Sequence, residues 1–274
     1  MNLNPKPAFV FGGFDNIHSA DIRHLDEASK LGPLTVFLWS DDLIRRQTGN
    51  APKFPENERA YFLRAIRYVS DVKLIADEAA KSTLYASPEA CSGTWVLRES
   101  ENPDLKDFFT GQNLPCKILR DEELRRFPEP PMPADSTRKK VLVTGCYDWL
   151  HSGHVRFFEE CASYGDLYVC LGHDANIRFL KGEGRPLFPQ EERRYLVGSI
   201  RYVTQALIST GDGWLDAEPE IRRLKPAIYA VNEDGDRPEK SEYCAKHGIE
   251  YLVLKRTPAP GLPKRSSTDL RNAR

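Results

Sequence analysis

The segment TGCYDWLHSGH, residues 144–154, combines residue types that can handle phosphate. Gly145 allows the chain to leave a strand tightly. His151 and His154 lie three positions apart, so both imidazoles can project from the start of one helix. The free N–H groups and the dipole at a helix N-terminus favour an anion. The pattern therefore predicts a site where two histidines donate to a phosphoryl oxygen as charge builds on it.

A glycine-rich segment, LKGEGRP at 180–186, is a second candidate for phosphate contact. Lys181 and Arg185 flank its two glycines. Backbone of this kind approaches a phosphate closely, and a neighbouring cation adds charge. Taken alone, a charged glycine loop is as often a solvated turn.

The C-terminal segment KRSSTDLR, residues 264–271, is a third candidate for phosphate contact. Ser267 and Thr268 are residue types that cap helices, which leaves backbone N–H groups free to meet phosphate. Arg271, about one turn into such a helix, adds a fixed charge. An ordinary C-terminal helix cap explains the same pattern equally well.

Alternating strands and helices surround these segments. Predicted strands are VLVTG (141–145), DLYVCLG (166–172), AIYAV (227–231) and YLVLK (251–255), and predicted helices are 154–165, 191–203 and 240–248. In the helix at 191–203 the inward positions are Tyr195, Leu196, Ile200 and Val203. Alternation of this kind predicts an α/β fold with a parallel sheet covered on both faces. In such sheets ligands lie at the carboxyl ends of the strands.

The chain contains this pattern twice. Phe14, Asp15 and His18 align with Tyr147, Asp148 and His151, each 133 positions later. The block KFPENERAYFLRAIRYV (53–69) matches LFPQEERRYLVGSIRYV (187–203). Two ordered matches at almost one offset predict tandem copies of one domain. Apolar positions of the first copy that look like core are Phe9, Phe11, Phe62, Leu63, Ile66 and Val69.

Between the copies, FPEPPMPADSTRK (127–139) is rich in proline, which neither continues a helix nor donates to a sheet. We therefore predict a first domain at 1–126, a linker at 127–137 and a second domain at 138–274.

The first copy lacks the phosphate-handling residues. It has HSAD (18–21) in place of HSGH, QTGNAPK (47–53) without the lysine, and no Ser/Thr element after its last strand. An aspartate at the start of that helix would repel an anionic nucleotide. We predict a structural or regulatory half that serves as an interface. The chain would then be a pseudo-dimer, and a homodimer of whole chains stays open as an alternative.

Composition excludes several classes of protein. The chain has 39 basic and 40 acidic residues, a net charge of -1, so nucleic acid is not expected as a partner. Apolar runs are too short to span a bilayer, and the N-terminus lacks a secretory pattern, which predicts a cytoplasmic protein. The six cysteines form no CxxC pair, so a zinc or redox motif has no support. A disulfide framework is not expected in a chain of this length without a secretory pattern.

Residues 139–274 resemble the cytidylyltransferase-like (HxGH) nucleotidyltransferase family. The resemblance rests on five motifs in a fixed order: GCYD, HSGH, KG…RP, ER…RYV and SSTDLR. The tandem layout is most similar to phosphoethanolamine cytidylyltransferases. The resemblance implies two tandem Rossmann-like domains and transfer of a nucleoside monophosphate.

The resemblance also implies residue roles. His151 and His154 would stabilise the transferring phosphate, and Lys181 would contact phosphates. Arg193 would support the site, and Asp148 would order the histidine loop or meet substrate. The nucleotide-binding set it implies is Gly145, Cys146, Tyr147, Asp148, Arg185, Arg193, Ser267, Thr268 and Arg271.

We expect the reaction to move CMP from CTP to a phosphorylated or phosphonate small-molecule acceptor, with Mg²⁺ entering with the nucleotide rather than in a protein cage. Two alternatives stay open. One is adenylyl transfer from ATP to a sugar phosphate or similar acceptor. The other is a non-catalytic nucleotide sensor or scaffold.

Overall fold

The computed structural model describes residues 6–100, 103–129, 133–267 and 270, and the chain divides into two compact units, Met1–Phe127 and Pro128–Arg274. Within the described residues, each unit contains one five-stranded sheet whose paired strands are parallel. The predicted α/β class with two tandem Rossmann-like domains is therefore confirmed. Among these residues, the helices all lack the length and apolar character that crossing a bilayer requires.

The first unit has the strand order β3-β2-β1-β4-β5. Its strands are β1 (Ala8–Gly12), β2 (Leu34–Trp39), β3 (Asp71–Ile75), β4 (Thr94–Arg98) and β5 (Cys116–Leu119). Its helices are α1 (Ser19–Ser29), α2 (Asp41–Thr48), α3 (Glu56–Ala65), α4 (Glu78–Tyr85), α5 (Pro88–Ser92) and α6 (Pro103–Gly111). All six apolar positions predicted as core are buried, which confirms that prediction.

The second unit has the order β10-β9-β6-β7-β8, the same arrangement read from the other edge. Its strands are β6 (Lys140–Gly145), β7 (Asp166–Leu171), β8 (Val203–Ile208), β9 (Ile228–Asn232) and β10 (Glu250–Leu254). Its helices are α7 (Ser152–Tyr164), α8 (Asp174–Lys181), α9 (Gln190–Gly198), α10 (Glu218–Leu224) and α11 (Pro238–His247). Chain order reverses between the neighbouring strands β6 and β9, which makes their ends the switch point of the sheet.

The predicted helix at 191–203 is wrong in its second half. Helix α9 ends at Gly198, and Val203 already begins β8. Glycine is a weak helix former, and the β-branched Val203 and Thr204 favour the strand that the sequence analysis missed. Ile200 and Val203 are buried as predicted, but they lie beyond the helix.

The segment between the domains carries no helix or strand in its described parts, 127–129 and 133–137. Glu129 forms a two-pronged ion pair with Arg194 of α9, at 2.5 and 2.9 Å. Contacts of the second unit therefore begin before residue 138. All six cysteines are free thiols.

Candidate functional site

A cavity of about 250 Å³ lies at the carboxyl ends of β6 and β9, at the switch point of the second sheet. Of the residues predicted from sequence, those that line it are Gly145, Cys146, Tyr147, Asp148, His151, His154, Lys181, Arg185 and Ser267. Thr268 and Arg271 lie outside the described residues. Three separate sequence motifs thus meet at one cavity.

The two histidines are stacked at the start of α7. His151 is the N-cap residue, and its ring centroid lies 3.9 Å from that of His154. Nδ1 of His151 accepts a hydrogen bond from the backbone N–H of Gly153 at 3.1 Å. In the neutral ring the proton must therefore be on Nε2.

Each of these rings holds one buried nitrogen without a protein partner, Nε2 of His151 and Nδ1 of His154. A buried polar atom left unpaired costs free energy comparable to a lost hydrogen bond. Both rings line the cavity, so a ligand oxygen placed there would accept the missing hydrogen bond.

Both imidazoles are neutral around pH 7 in the free protein. Burial, together with the nearby Arg256 and Arg265, lowers the pKa of His151 to about 3. Burial, His151 and Arg256 hold the pKa of His154 well below its ordinary value. Neither ring therefore brings a positive charge of its own, and each can donate one hydrogen bond through the nitrogen that carries its proton.

The glycine of the HSGH segment lets the His151 ring pack closely against the start of α7. A Cβ added at Gly153 would lie 3.0 Å from both Cε1 and Nδ1 of His151. Gly145 has a similar role, since a Cβ there would lie 2.8 Å from the Tyr147 ring and the ring would have to shift. Tyr147 folds back with a φ of 50° and is only 7% exposed. These contacts fix the loop that leads from β6 into α7.

Asp148 holds the glycine-rich segment against this loop. Its Oδ1 accepts hydrogen bonds from the backbone N–H groups of Leu187, at 2.6 Å, and Phe188, at 3.1 Å. Its Oδ2 lies 3.4 Å from Nη1 of Arg185. Of the two roles considered for Asp148, these contacts support ordering of the loop.

Arg193 lies behind the cavity rather than in its lining. The side chain is fully buried, and its nitrogens donate to the carbonyl oxygens of Phe188 (3.0 Å), Cys146 (2.7 Å) and Gly172 (2.9 Å). Nη2 also lies 2.7 Å from Oδ1 of Asp174. Arg193, which the resemblance places in the nucleotide-binding set as a support of the site, joins the ends of β6 and β7 through these contacts.

The cavity contains two cations that were not singled out as site residues, Lys240 of α11 and Arg256 after β10. Nζ of Lys240 donates to Gly235 O at 3.1 Å, and Arg256 pairs with Asp234 at 2.5 Å. Lys240 follows β9, which borders the switch point, and Arg256 follows the next strand, β10, an arrangement that no local sequence pattern records. With Lys181 and Arg185 they make the cavity cationic.

Cys146 and Ser267 line the cavity without adding charge to it. Burial raises the pKa of the Cys146 thiol, so it remains protonated and is unsuited to nucleophilic attack. Oγ of Ser267 lies 3.4 Å from Trp149 O, which places the C-terminal segment against the histidine loop.

Comparison with known proteins identifies the family. The profile described as Cytidylyltransferase-like matches residues 9–126 and 142–273. The chain belongs to the cytidylyltransferase-like family. The family resemblance inferred from the motifs is thereby confirmed.

Curated relatives match parts of the chain. FAD synthase of Thermococcus kodakarensis is 36% identical over 126 residues, which cover 44% of this chain and 83% of that protein. The bifunctional protein HldE of Geobacter sulfurreducens is 38% identical over 98 residues, 35% of this chain. The match spans 19% of HldE.

Among solved structures, the lipopolysaccharide core biosynthesis protein of Thermoplasma volcanium has a TM-score of 0.38 at 23% identity, over 44% of this chain and 98% of that one. The fold assignment rests on the two sheets described above.

Both copies of the family's domain retain the supporting contacts. In the first unit, Asp15 accepts from the backbone N–H groups of Lys53 (2.6 Å) and Phe54 (2.8 Å), as Asp148 does in the second. Arg59 donates to Phe54 O at 2.9 Å and pairs with Asp41 at 2.6 Å, the counterparts of the contacts of Arg193.

The chemistry-bearing positions of the first unit differ. Asp21 stands where His154 stands in the second unit, and its Oδ1 lies 2.6 Å from Nη2 of Arg98, at the end of β4. His18 is exposed and its Nε2 lies 2.8 Å from Asn16. The sequence analysis expected Asp21 to repel an anionic nucleotide. In the structure the Asp21 carboxylate itself occupies the place of an anion beside the start of α1, where it pairs with Arg98.

Proposed function

We propose that the second unit transfers a nucleoside monophosphate from a nucleoside triphosphate to a phosphorylated small-molecule acceptor and releases pyrophosphate. The observation that carries this proposal is the stacked pair His151 and His154, whose buried ring nitrogens lack partners in a cationic cavity at the switch point. Such nitrogens suit a phosphoryl oxygen on which negative charge builds.

In this reaction an oxygen of the acceptor's phosphate attacks the α-phosphorus in line. The bond from that phosphorus to the oxygen bridging it to the β-phosphorus breaks as the new bond forms, and pyrophosphate leaves. Lys181 and Arg185 neutralise phosphate charge, while the two imidazoles donate to the α-phosphoryl oxygens. The protein mainly positions reactants and neutralises charge, which is typical of phosphoryl transfer.

Magnesium is expected to enter with the triphosphate. In the part of the chain that the structure describes, no group of three or more histidine, cysteine or acidic side chains is arranged to hold a metal ion. Mg²⁺ commonly keeps several waters and takes its remaining ligands from substrate phosphates. When bound, it would screen the charges of the triphosphate.

We propose ATP as the donor in preference to the CTP expected from the motifs. The name FAD synthase describes formation of a dinucleotide that contains an adenylyl group, and this relative covers most of one domain's length. The tandem layout that suggested a cytidylyl donor gives no information about the base itself.

Pyrophosphate release tests the proposal. The full chain is incubated with each of four nucleoside triphosphates and a panel of phosphorylated acceptors, with Mg²⁺ present. We expect turnover to be fastest with ATP. Faster turnover with CTP would overturn the choice of donor, and nucleotide binding without turnover for any acceptor would favour the nucleotide-sensor alternative.

A further inference from the structure

The cations that line the cavity differ in whether a carboxylate already neutralises them. Arg185 and Arg256 each pair with an aspartate of the cavity lining, at 3.4 and 2.5 Å. Lys181 and Lys240 form no ion pair within the part of the chain that the structure describes. These two lysines are therefore the cavity cations whose charge is left for a ligand.

Lys240 is held in place by a neutral partner. Its Nζ donates to Gly235 O at 3.1 Å, and an ammonium group has two further N–H donors. The side chain is half-buried, and burial together with the nearby Arg237 lowers its pKa. Asp236 and Asp216 act in the opposite direction without pairing with the ammonium. An anion bound in the cavity beside Lys240 would stabilise the charged form.

The two lysines reach the cavity from opposite sides of β6. Lys181 ends α8, which follows β7, whereas Lys240 lies in the first turn of α11, which follows β9. Strands β7 and β9 are the two neighbours of β6, and the loop after β6 carries the histidine pair. The cavity therefore offers a lysine on each side of the histidine loop.

Transfer by in-line attack brings two anions to opposite sides of the α-phosphorus. The attacking oxygen and the leaving oxygen are roughly in line, so the acceptor phosphate and the pyrophosphate lie on either side of that atom. Lys181 belongs to the glycine-rich segment and already serves the phosphates of the nucleotide in the proposed function. Lys240, on the other side, is then available to the acceptor.

The first unit lacks this lysine. Its helix α6 lies between β4 and β5 as α11 lies between β9 and β10, so the two helices correspond. Each begins with a proline followed by an acidic residue, and the third residue is Leu105 in α6 and Lys240 in α11. The copy without the histidine pair thus also lacks the cation. This is expected if Lys240 and the histidines act on the same reactants.

We infer that the ammonium group of Lys240 binds the phosphate of the acceptor, on the side of the α-phosphorus away from the leaving pyrophosphate. The inference rests on the proposed function and adds to it a residue that touches the acceptor. Lys240 donates to the phosphate oxygens that do not attack, which leaves the attacking oxygen directed at the α-phosphorus. It neither gives nor takes a proton during the transfer.

Steady-state kinetics of the full chain test this assignment. The acceptors are glycerol 3-phosphate, ribose 5-phosphate, phosphoethanolamine and flavin mononucleotide, and the variants are measured with the one that gives the fastest pyrophosphate release. We expect Lys240→Met to raise the KM for that acceptor about tenfold or more, since a hydrogen bond to a charged group is lost. The KM for the nucleotide should not change. Lys181→Met should show the reverse pattern, and Lys240→Arg, which keeps the charge, should raise the KM for the acceptor less than Lys240→Met does.

The matched control is Lys246→Met, the same substitution at an exposed lysine in the last turn of the same helix. It should leave both KM values unchanged. Two results for Lys240→Met would overturn the inference while the proposed function stands. One is an unchanged KM for the acceptor, and the other is a KM for the nucleotide that rises as much as that for the acceptor.

Failure of the proposed function has a different signature, because the wild-type chain then releases no pyrophosphate with any of these acceptors. Acetylation of the full chain by acetic anhydride, read by mass spectrometry of its peptides, tests Lys240 in that case, with Lys246 as the internal reference. Slower acetylation of Lys240 in the presence of inorganic phosphate supports a phosphate site at this residue. A rate that phosphate does not change relative to Lys246 overturns it.

Discussion

The His151 and His154 rings stack with centroids 3.9 Å apart and planes at 27°, and each has a buried nitrogen without a protein partner. Two imidazolium ions at this distance would repel strongly in a buried site. The arrangement therefore requires neutral rings, which agrees with the lowered pKa of both.

Replacing either histidine should remove a donor to the transferring phosphate. We expect His151→Ala and His154→Ala each to lower turnover about 10²–10³-fold, the scale for loss of one transition-state donor. Pyrophosphate release under saturating substrate measures this. His18→Ala, at the matching position of the first unit, is the control and should retain full activity. Near wild-type turnover in both second-unit variants would remove the histidines from the mechanism.

Gly153→Ala should lower turnover without unfolding the protein. The new Cβ would lie 3.0 Å from the His151 ring, so the ring must shift by a few tenths of an ångström. The control is Gly198→Ala, where a Cβ would make only an ordinary contact 3.7 Å from Ala206. We expect turnover to fall at least about tenfold in the first variant, since misplaced catalytic groups are costly. Equal activity of both variants would show that the ring position is not critical.

Replacing Lys181 should weaken nucleotide binding, whereas replacing Arg193 should lower the stability of the second unit. Lys181→Ala removes an exposed cavity cation, so we expect a higher KM for the nucleotide and a loss of unfolding free energy below about 0.5 kcal/mol. Arg193→Ala leaves Asp174 and three carbonyl oxygens without their buried donor, and should destabilise the unit by about 3–5 kcal/mol. Chemical unfolding and nucleotide titration measure the two effects. The reverse pattern would make Lys181 structural.

Acid should destabilise the second unit through His151. Its pKa is about 3 in the folded chain against an ordinary 6.5, so the unfolded chain binds the proton first as the pH falls. The stabilisation is complete above pH 6.5 and is lost toward pH 3, by up to about 1.4 kcal/mol per pH unit. Urea unfolding of His151→Gln should lose less free energy between pH 7 and pH 5 than wild type does. An equally steep loss in the variant would contradict this assignment.

One nucleotide should bind per chain. In the first unit the Asp21 carboxylate, paired with Arg98 at 2.6 Å, occupies the helix start where the second unit presents His154. Calorimetric titration of the full chain with a nucleoside triphosphate measures the stoichiometry, and His154→Ala, which weakens the second site, identifies the unit that binds. Two nucleotides per chain would show that the first unit also has a functional site. The proposed interface role of the first unit stays a prediction, to be checked by sedimentation of the chain.

Much of the site was predictable because its signals are local. The TGCYDWLHSGH segment contains its own turn glycine, helix cap and donor pair, so neighbouring residues suffice to place His151 and His154 at one helix start. The tandem repeat was predictable for a similar reason, because matching residues in the two copies can be aligned directly in the sequence. Local signals fail where propensities compete, as at Gly198, where a helix pattern continues in sequence but a strand begins at Val203.

Tertiary structure alone decided which distant residues share the site. Lys240 and Arg256 reach the cavity because β9 lies beside β6 rather than beside β8, its predecessor in the chain, and no local pattern records strand order. The resemblance implies that Arg193 supports the site, but the carbonyl oxygens to which its guanidinium donates, those of Cys146 and Gly172, are known from the tertiary structure alone. The pairing of Asp21 with Arg98 likewise joins residues far apart in sequence, because parallel strands bring their carboxyl ends to one edge.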